Sequence, residues 1–249
     1  MKRALITGSS SGIGFAYAKL LSQKGWHLDL ISQNQERSQN ALDELAYTNC
    51  NSHICDLSSA ESLVNVINNI PLPDLLVANA GIGITGSVGK NNRDNIADAS
   101  YLMFGGVIEL IEYYLPQMKI RNSGRVVIIS SIGALIPMPK SSIYAAVKSG
   151  VYAYGRSLNS ELTGKNVSVT VSLPGYVKTN IHKRAGLQHL TKKIPNWMWV
   201  SAEQVVKETE SASIKGSSKI IPGLLYRFTS IFFDLWITQY VWKIMNGRK

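Results

Sequence analysis

Short apolar runs alternate with longer stretches of helical periodicity along most of this 249-residue chain. The runs at 3–7, 27–32, 52–55, 74–78, 125–130 and 167–173 have the length and β-branched content of buried strands, with a shorter seventh at 218–221. Between them the spacing predicts helices at 12–24, 35–47, 59–69, 94–120, 142–163 and 202–215. Parallel strands need crossovers, and each crossover helix packs back on a sheet face. The alternation therefore predicts one α/β domain over residues 1–249, a doubly wound, mostly parallel seven-stranded sheet with helices on both faces. No repeat, low-complexity tract or linker divides it. In such sheets ligands bind beyond the carboxyl ends of the strands, so the irregular stretch 175–200 is expected to be a lid.

Hydrophobic residues make up 45% of the chain and charged residues 17%, which excludes a disordered chain. The net charge of +10 favours anionic partners. It is dispersed in small clusters, without a long basic run, which argues against nucleic acid. Cys50, His53 and Cys55 give three metal-ligand types without a fourth, so no metal is expected. Two free thiols in a reducing, cytoplasmic compartment are the plainer reading. The N-terminus lacks a signal-peptide apolar core, and no window is long and apolar enough to span a bilayer.

The stretch TGSSSGIG, residues 7–14, joins the first strand directly to the first helix. Glycines there allow a tight turn and close approach of a phosphate to the backbone. The helix start adds unpaired N–H groups and the positive end of its dipole. Further along, Tyr144 and Lys148 stand at i and i+4 in a helical stretch and share a face. A cation beside a phenol stabilises its phenolate and fits it for proton transfer near neutral pH.

These motifs, in this order, resemble the short-chain dehydrogenase/reductase family of Rossmann-type enzymes. TG-x3-GIG is similar to the family's cofactor turn, CDL (55–57) to its adenine-contact segment, and NAG (79–81) to its structural triplet. ISS (129–131) with Tyr144-x3-Lys148 resembles the active site, and PGYVKT (174–179) the nicotinamide-contact segment. The likeness runs from residue 3 to about 180. It implies that Ser131 holds the substrate oxygen, Tyr144 is the general acid or base, and Lys148 binds the nicotinamide ribose. Ser130 is the neighbouring candidate; the family's serine-to-tyrosine spacing selects Ser131. The resemblance also implies a cofactor site made of Gly8, Ser10, Ser11, Gly12, Ile13 and Gly14, then Gln33 and Asn34, then Asp56 and Leu57. Asn79, Ala80 and Gly81, the pair Tyr144 and Lys148, and Pro174, Gly175, Val177 and Thr179 complete it. The sequence departs from the family at Met103, thirteen residues before Pro116 in LP-x-M, where an asparagine supporting a proton relay is usual. A thioether cannot replace an amide in such a relay.

An acid at the end of the second strand would select NAD(H). That position is Ser32, followed by Gln33 and Asn34. The arginines usual in NADP-preferring relatives are absent at 11 and 33, but Arg37 is near. The reading is NADP(H) ahead of NAD(H). Trp197, Met198 and Trp199 point to an apolar pocket or plain packing, and His182 and His189 to the lid surface. In the aromatic extension 223–249, Leu225, Phe228, Phe232, Leu235 and Trp236 approximate one helical face. Packing or a homo-oligomer contact is expected of it, with peripheral membrane contact through 224–249 the second reading. The expected function is hydride transfer between NADP(H) and the carbonyl or alcohol of a hydrophobic small molecule. The rival is a weakly catalytic or non-catalytic dinucleotide-binding protein that acts through its tail; Met103 favours it.

Overall fold

The computed structural model describes residues 1–45, 49–179 and 194–230. Its centre is a seven-stranded sheet in the order β3-β2-β1-β4-β5-β6-β7. The strands are β1 (Arg3–Thr7), β2 (His27–Ser32), β3 (Cys50–Ile54), β4 (Leu75–Ala78), β5 (Gly124–Ile129), β6 (Val167–Ser172) and β7 (Lys219–Ile220). Every neighbouring pair is parallel. The helices are α1 (Gly12–Ser22), α2 (Gln35–Glu44), α3 (Ala60–Ile67), α4 (Arg93–Ser100), α5 (Gly106–Arg121), α6 (Ser142–Glu161), α7 (Ala202–Ile214) and α8 (Leu224–Thr229).

Alternation of side chains along each strand divides the core between the two sheet faces. On one face Ala4, Ile6, Leu28 and Leu30 pack with Ala18, Leu21, Val205 and Val206 from α1 and α7. On the other, Leu5, Ile31, Val126 and Ile128 pack with Leu63 of α3 and Leu110, Tyr114 and Met118 of α5. Cys50 packs with the first cluster and Cys55 belongs to the second, so the two thiols fall on opposite faces. His53 stands 3.2 Å from the buried Asp29 carboxylate, which also holds Arg3 at 2.6 Å. Asp29 thus belongs to a mid-sheet ion pair and not to the strand's carboxyl end.

The single helix expected over 94–120 is in fact α4 and α5 joined by one π-helical turn, Tyr101–Gly105. The cause is local. A methyl on Gly105 or Gly106 would sit 3.1 Å from the Tyr101 ring, so the paired glycines make room for it. The Tyr101 hydroxyl donates to Glu109 across the wide turn. Such turns recur at functional sites, and this one carries Met103 inward, 1% exposed.

Only the flanks of the expected lid fall within the described residues. Val177 and Val200 pair there as a parallel bridge, and Asn196–Met198 forms a 3-10 turn. His182 and His189 lie outside the described residues, as does the tail from residue 231. In α8 Tyr226 is buried and Leu225 packs against the first core cluster, while Phe228 is 67% exposed; the rest of the face expected from Leu225 and Phe228 lies outside the described residues. Among the described residues no helix is long and apolar enough to cross a membrane.

Candidate active site

Strand order reverses between β1 and β4, and a crevice opens there beyond the carboxyl ends of the strands. A cleft of about 300 Å³ occupies it. One wall is the turn after β1. Gly8 and Gly12 have φ of +65° and +60°, in the left-handed region that favours glycine. Gly14 is required for a different reason: a Cβ there would lie 2.3 Å from the Gly8 carbonyl oxygen and 2.5 Å from Asn79 Nδ2. Asn79 donates to the carbonyls of Thr7 and Gly8 at 2.9 and 3.2 Å, tying the end of β4 to the turn. Ser9 Oγ fixes the turn to β2 through the Ile31 carbonyl at 3.1 Å.

Helix α1 begins at this wall with no side-chain hydrogen bond from its cap residue. In this it is like α6 and α8, whereas α2, α3, α4 and α7 are capped by Asn34, Ser59, Asn92 and Ser201. The first-turn amides of α1 therefore suit an anion in the cleft. At the far end, Asp56 accepts hydrogen bonds from Ser58 N at 3.0 Å and Ser58 Oγ at 2.7 Å. These bonds, with one from Gln33, hold its carboxyl below the usual range. Beside it, Ser32 Oγ and Arg37 Nε are buried without a protein partner, and both residues line the cleft.

The other end is built by β5 and α6. Ser130 Oγ donates to the Lys148 carbonyl at 2.8 Å and so locks strand to helix. Ser131 Oγ accepts the Gly133 N–H at 3.1 Å, and its own hydroxyl remains the donor for a cleft occupant. The two serines thus have different work. A methyl on Gly133 would sit 3.4 Å from Ser131 Oγ and 3.6 Å from Tyr144 Cε1, so these residues bracket one point. One turn along α6, Lys148 lies with its ammonium 5.9 Å from the Tyr144 ring centroid. The ammonium donates to the Ile129 carbonyl at 3.0 Å. Lys148 is 6% exposed, and burial lowers its pKa to about 8. No carboxylate among the described residues pairs with it.

Most residues expected at the site line this one cleft: Gly8, Ser10, Ser11, Gly12, Ile13, Gln33, Asp56, Leu57, Asn79, Ala80, Gly81, Ser131, Tyr144, Lys148, Pro174, Gly175, Val177 and Thr179. Two do not. Gly14 stands behind the turn, and Asn34 Oδ1 is spent capping α2 through the Arg37 N–H at 2.8 Å. The sequence reading missed Ile82, Ile84, Leu102 and Met138, which give the Ser131 end its apolar wall. No local pattern marks them, because they arrive from three separate segments.

Comparison with known proteins agrees with this geometry. The family model for short chain dehydrogenase matches residues 2–189. Carbonyl reductase family member 4 of Xenopus laevis is 30% identical over 233 residues, covering 89% of this chain and 97% of that protein. The 3-oxoacyl-[acyl-carrier-protein] reductase FabG of Rickettsia felis is 29% identical over 197 residues, covering 78% and 81%. Among solved structures, a short-chain dehydrogenase from Sphingobium yanoikuyae in complex with NADPH superposes with a TM-score of 0.84 at 24% identity, covering 93% and 92%. A short-chain dehydrogenase/reductase from Burkholderia phymatum in complex with NAD gives the same TM-score at 21% identity, covering 100% and 95%. With the family model matching residues 2–189, most of its length, the chain belongs to the short-chain dehydrogenase family of oxidoreductases.

Proposed function

We propose that this protein reduces a carbonyl group on a hydrophobic small molecule, or oxidises the matching alcohol, with NADP(H) as the hydride partner. The observation that carries the reading is the meeting of Ser131, Tyr144 and Lys148 at one end of a cleft whose other wall is the uncapped start of α1. A reduced nicotinamide bound in the cleft supplies the hydride. Ser131 donates a hydrogen bond to the substrate oxygen and holds it beside Tyr144. With hydride supplied to the carbon, Tyr144 would give its phenolic proton to the oxygen, and the carbonyl would become an alcohol. Lys148 stabilises the phenolate that remains. In the oxidative direction each transfer reverses.

Two observations support the choice of NADP(H). No carboxylate stands at the end of β2 to accept a ribose 2′-hydroxyl, and Ser32 Oγ and Arg37 Nε are buried there without partners. A buried donor without a partner is costly, and a 2′-phosphate would satisfy both. Ile82, Ile84, Leu102 and Met138 at the Ser131 end favour an apolar substrate. Met103 supports the rival, a dinucleotide-binding protein with little turnover.

The test is titration with NADPH and NADH followed by NADPH-linked reduction of apolar ketones, with Tyr144→Phe alongside. The expected result is tighter binding of NADPH and turnover that falls by about 10²–10⁴-fold in the variant. Equal turnover in both proteins removes Tyr144 as proton donor. Binding without turnover favours the rival.

A further inference from the structure

We propose that Tyr226, on the C-terminal helix, is a positioning residue for the Ser131 end of the cofactor cleft, a role that rests on the dinucleotide reading above. Helix α8 runs over Leu224–Thr229 among the described residues. It is pinned to α7 by Glu208, whose carboxylate accepts the Gly223 N–H at 3.2 Å and Arg227 Nη2 at 2.7 Å. From this strut Tyr226 projects inward and is 1% exposed. Its ring fills the space beside Gly175, where any Cβ would lie 2.2 Å from the ring carbons. Its hydroxyl donates to the Met198 carbonyl at 2.6 Å and accepts the Tyr176 N–H at 3.2 Å.

Those two contacts join two strips of backbone. Val200 N donates to the Tyr176 carbonyl at 2.9 Å, and Lys178 N to the Val200 carbonyl at 3.0 Å. Tyr226 closes the near end of that ribbon. The strip it holds lines the cleft through Gly175, Tyr176 and Val177. Immediately before it, the Pro174 carbonyl accepts the Ile132 N–H at 3.0 Å, beside Ser131. Just after it, the Thr179 methyl stands where a Cβ on Gly12 would meet it at 3.1 Å. A displacement of this strip is therefore felt at the Ser131 end and over the start of α1. Ser32 Oγ and Arg37 Nε, on β2 and α2, make no hydrogen bond to it. Burial pushes the Tyr226 phenol above its ordinary range, so the hydroxyl remains a donor throughout the working pH range.

This asymmetry separates positioning from general support. In full-length Tyr226→Phe the ring is kept and only the hydroxyl is lost. Calorimetric titration then compares the preferred dinucleotide with its adenine half alone, which is 2′,5′-ADP for NADPH or ADP for NADH. The expected result is a dinucleotide Kd raised about tenfold, the size of one buried hydrogen bond, with the adenine half bound within about twofold of wild type. Equal weakening of both ligands, or no change in either, overturns the role and leaves the oxidoreductase reading standing. Wild-type protein that binds neither ligand overturns both. Should the variant not fold, amide exchange at Tyr176 in the wild type gives the second measurement. Slowing by the dinucleotide and not by its adenine half supports the role; slowing by both or by neither overturns it.

Discussion

The Met103 sulfur and the Lys148 ammonium converge on one point: a methyl on Gly81 would lie 3.5 Å from the first and 3.6 Å from the second. Met103 belongs to a small cluster with Ile84, Ala99 and Val147, so an apolar thioether stands near the Lys148 ammonium. A thioether is a weak acceptor and offers the ammonium little as a bridge to water. Met103→Asn is expected to raise kcat severalfold, because an amide offers the ammonium an acceptor and a bridge to water. The same change puts a polar group among apolar neighbours, so the melting temperature falls. Steady-state kinetics and thermal unfolding on one preparation check both signs.

Lys148 also makes stability depend on pH. Its pKa is about 8 in the folded protein, against an ordinary value of about 10.4 in the unfolded chain. Between those values the unfolded chain binds more protons, so stability rises with pH. Below about pH 8 the cost of burying the ammonium is fully present; it is relieved as pH rises toward 10.4. Lys148→Met removes the charge and the bond to the Ile129 carbonyl together. It is expected to be more stable than wild type by about 2 kcal/mol at pH 7, with the gap closing by pH 10. Urea unfolding at the two pH values measures it, and a gap that widens toward pH 10 would contradict the assignment.

Much of this was legible in the sequence because the period of the apolar residues sets which face each element buries. The seven strands were recognisable from their β-branched runs, and the glycine turn from its place between strand and helix. What escaped was set by tertiary contact. The π turn at Tyr101–Gly105 depends on Tyr101 lying over Gly105 and Gly106 and reaching Glu109. The inward face of α8 is chosen by the hollow at Gly175, 51 residues from Tyr226 in the chain. Asn34 is expected as a cofactor contact; its Oδ1 caps α2, a use that depends on the backbone of that helix. Ser130 and Ser131 are adjacent and alike in sequence; the Lys148 carbonyl takes one and leaves the other facing the cleft.

At the adenine end, Arg37→Ala tests the half-buried guanidinium directly. Its Nε has no protein partner, and a charge-assisted bond to phosphate is about twice as strong as a neutral one. The variant is expected to bind NADPH and 2′,5′-ADP about tenfold or more weakly. NADH binding should change by less than about twofold. Introducing an acceptor at the strand end, Ser32→Asp, should reverse the preference toward NADH. Fluorescence titration of both dinucleotides gives the ratio, and an unchanged ratio in both variants would remove these two residues from cofactor selection.

A second buried charge pair lies on the opposite, amino-terminal side of the sheet and bears on stability alone. Arg125, near the start of β5, grips Glu210 of α7 through two bonds, Nη2 to Oε1 at 2.9 Å and Nη1 to Oε2 at 3.1 Å. It also reaches Ser213 Oγ at 2.9 Å, and Tyr17 of α1 donates to Glu210 at 3.2 Å. The network thus ties α1, α7 and β5 together where Glu210 is 3% exposed. Burial and the neighbouring carboxylate push the Tyr17 phenol well above its ordinary range, so it stays a donor. Arg125→Met leaves a buried carboxylate with the Tyr17 hydroxyl as its remaining bond, and is expected to cost about 3–5 kcal/mol. Pairing it with Glu210→Gln removes the stranded charge and should recover a large part of that loss. A double-mutant cycle in urea unfolding measures the coupling. Additive losses, with no recovery in the double variant, would show that the pair does not act as a unit.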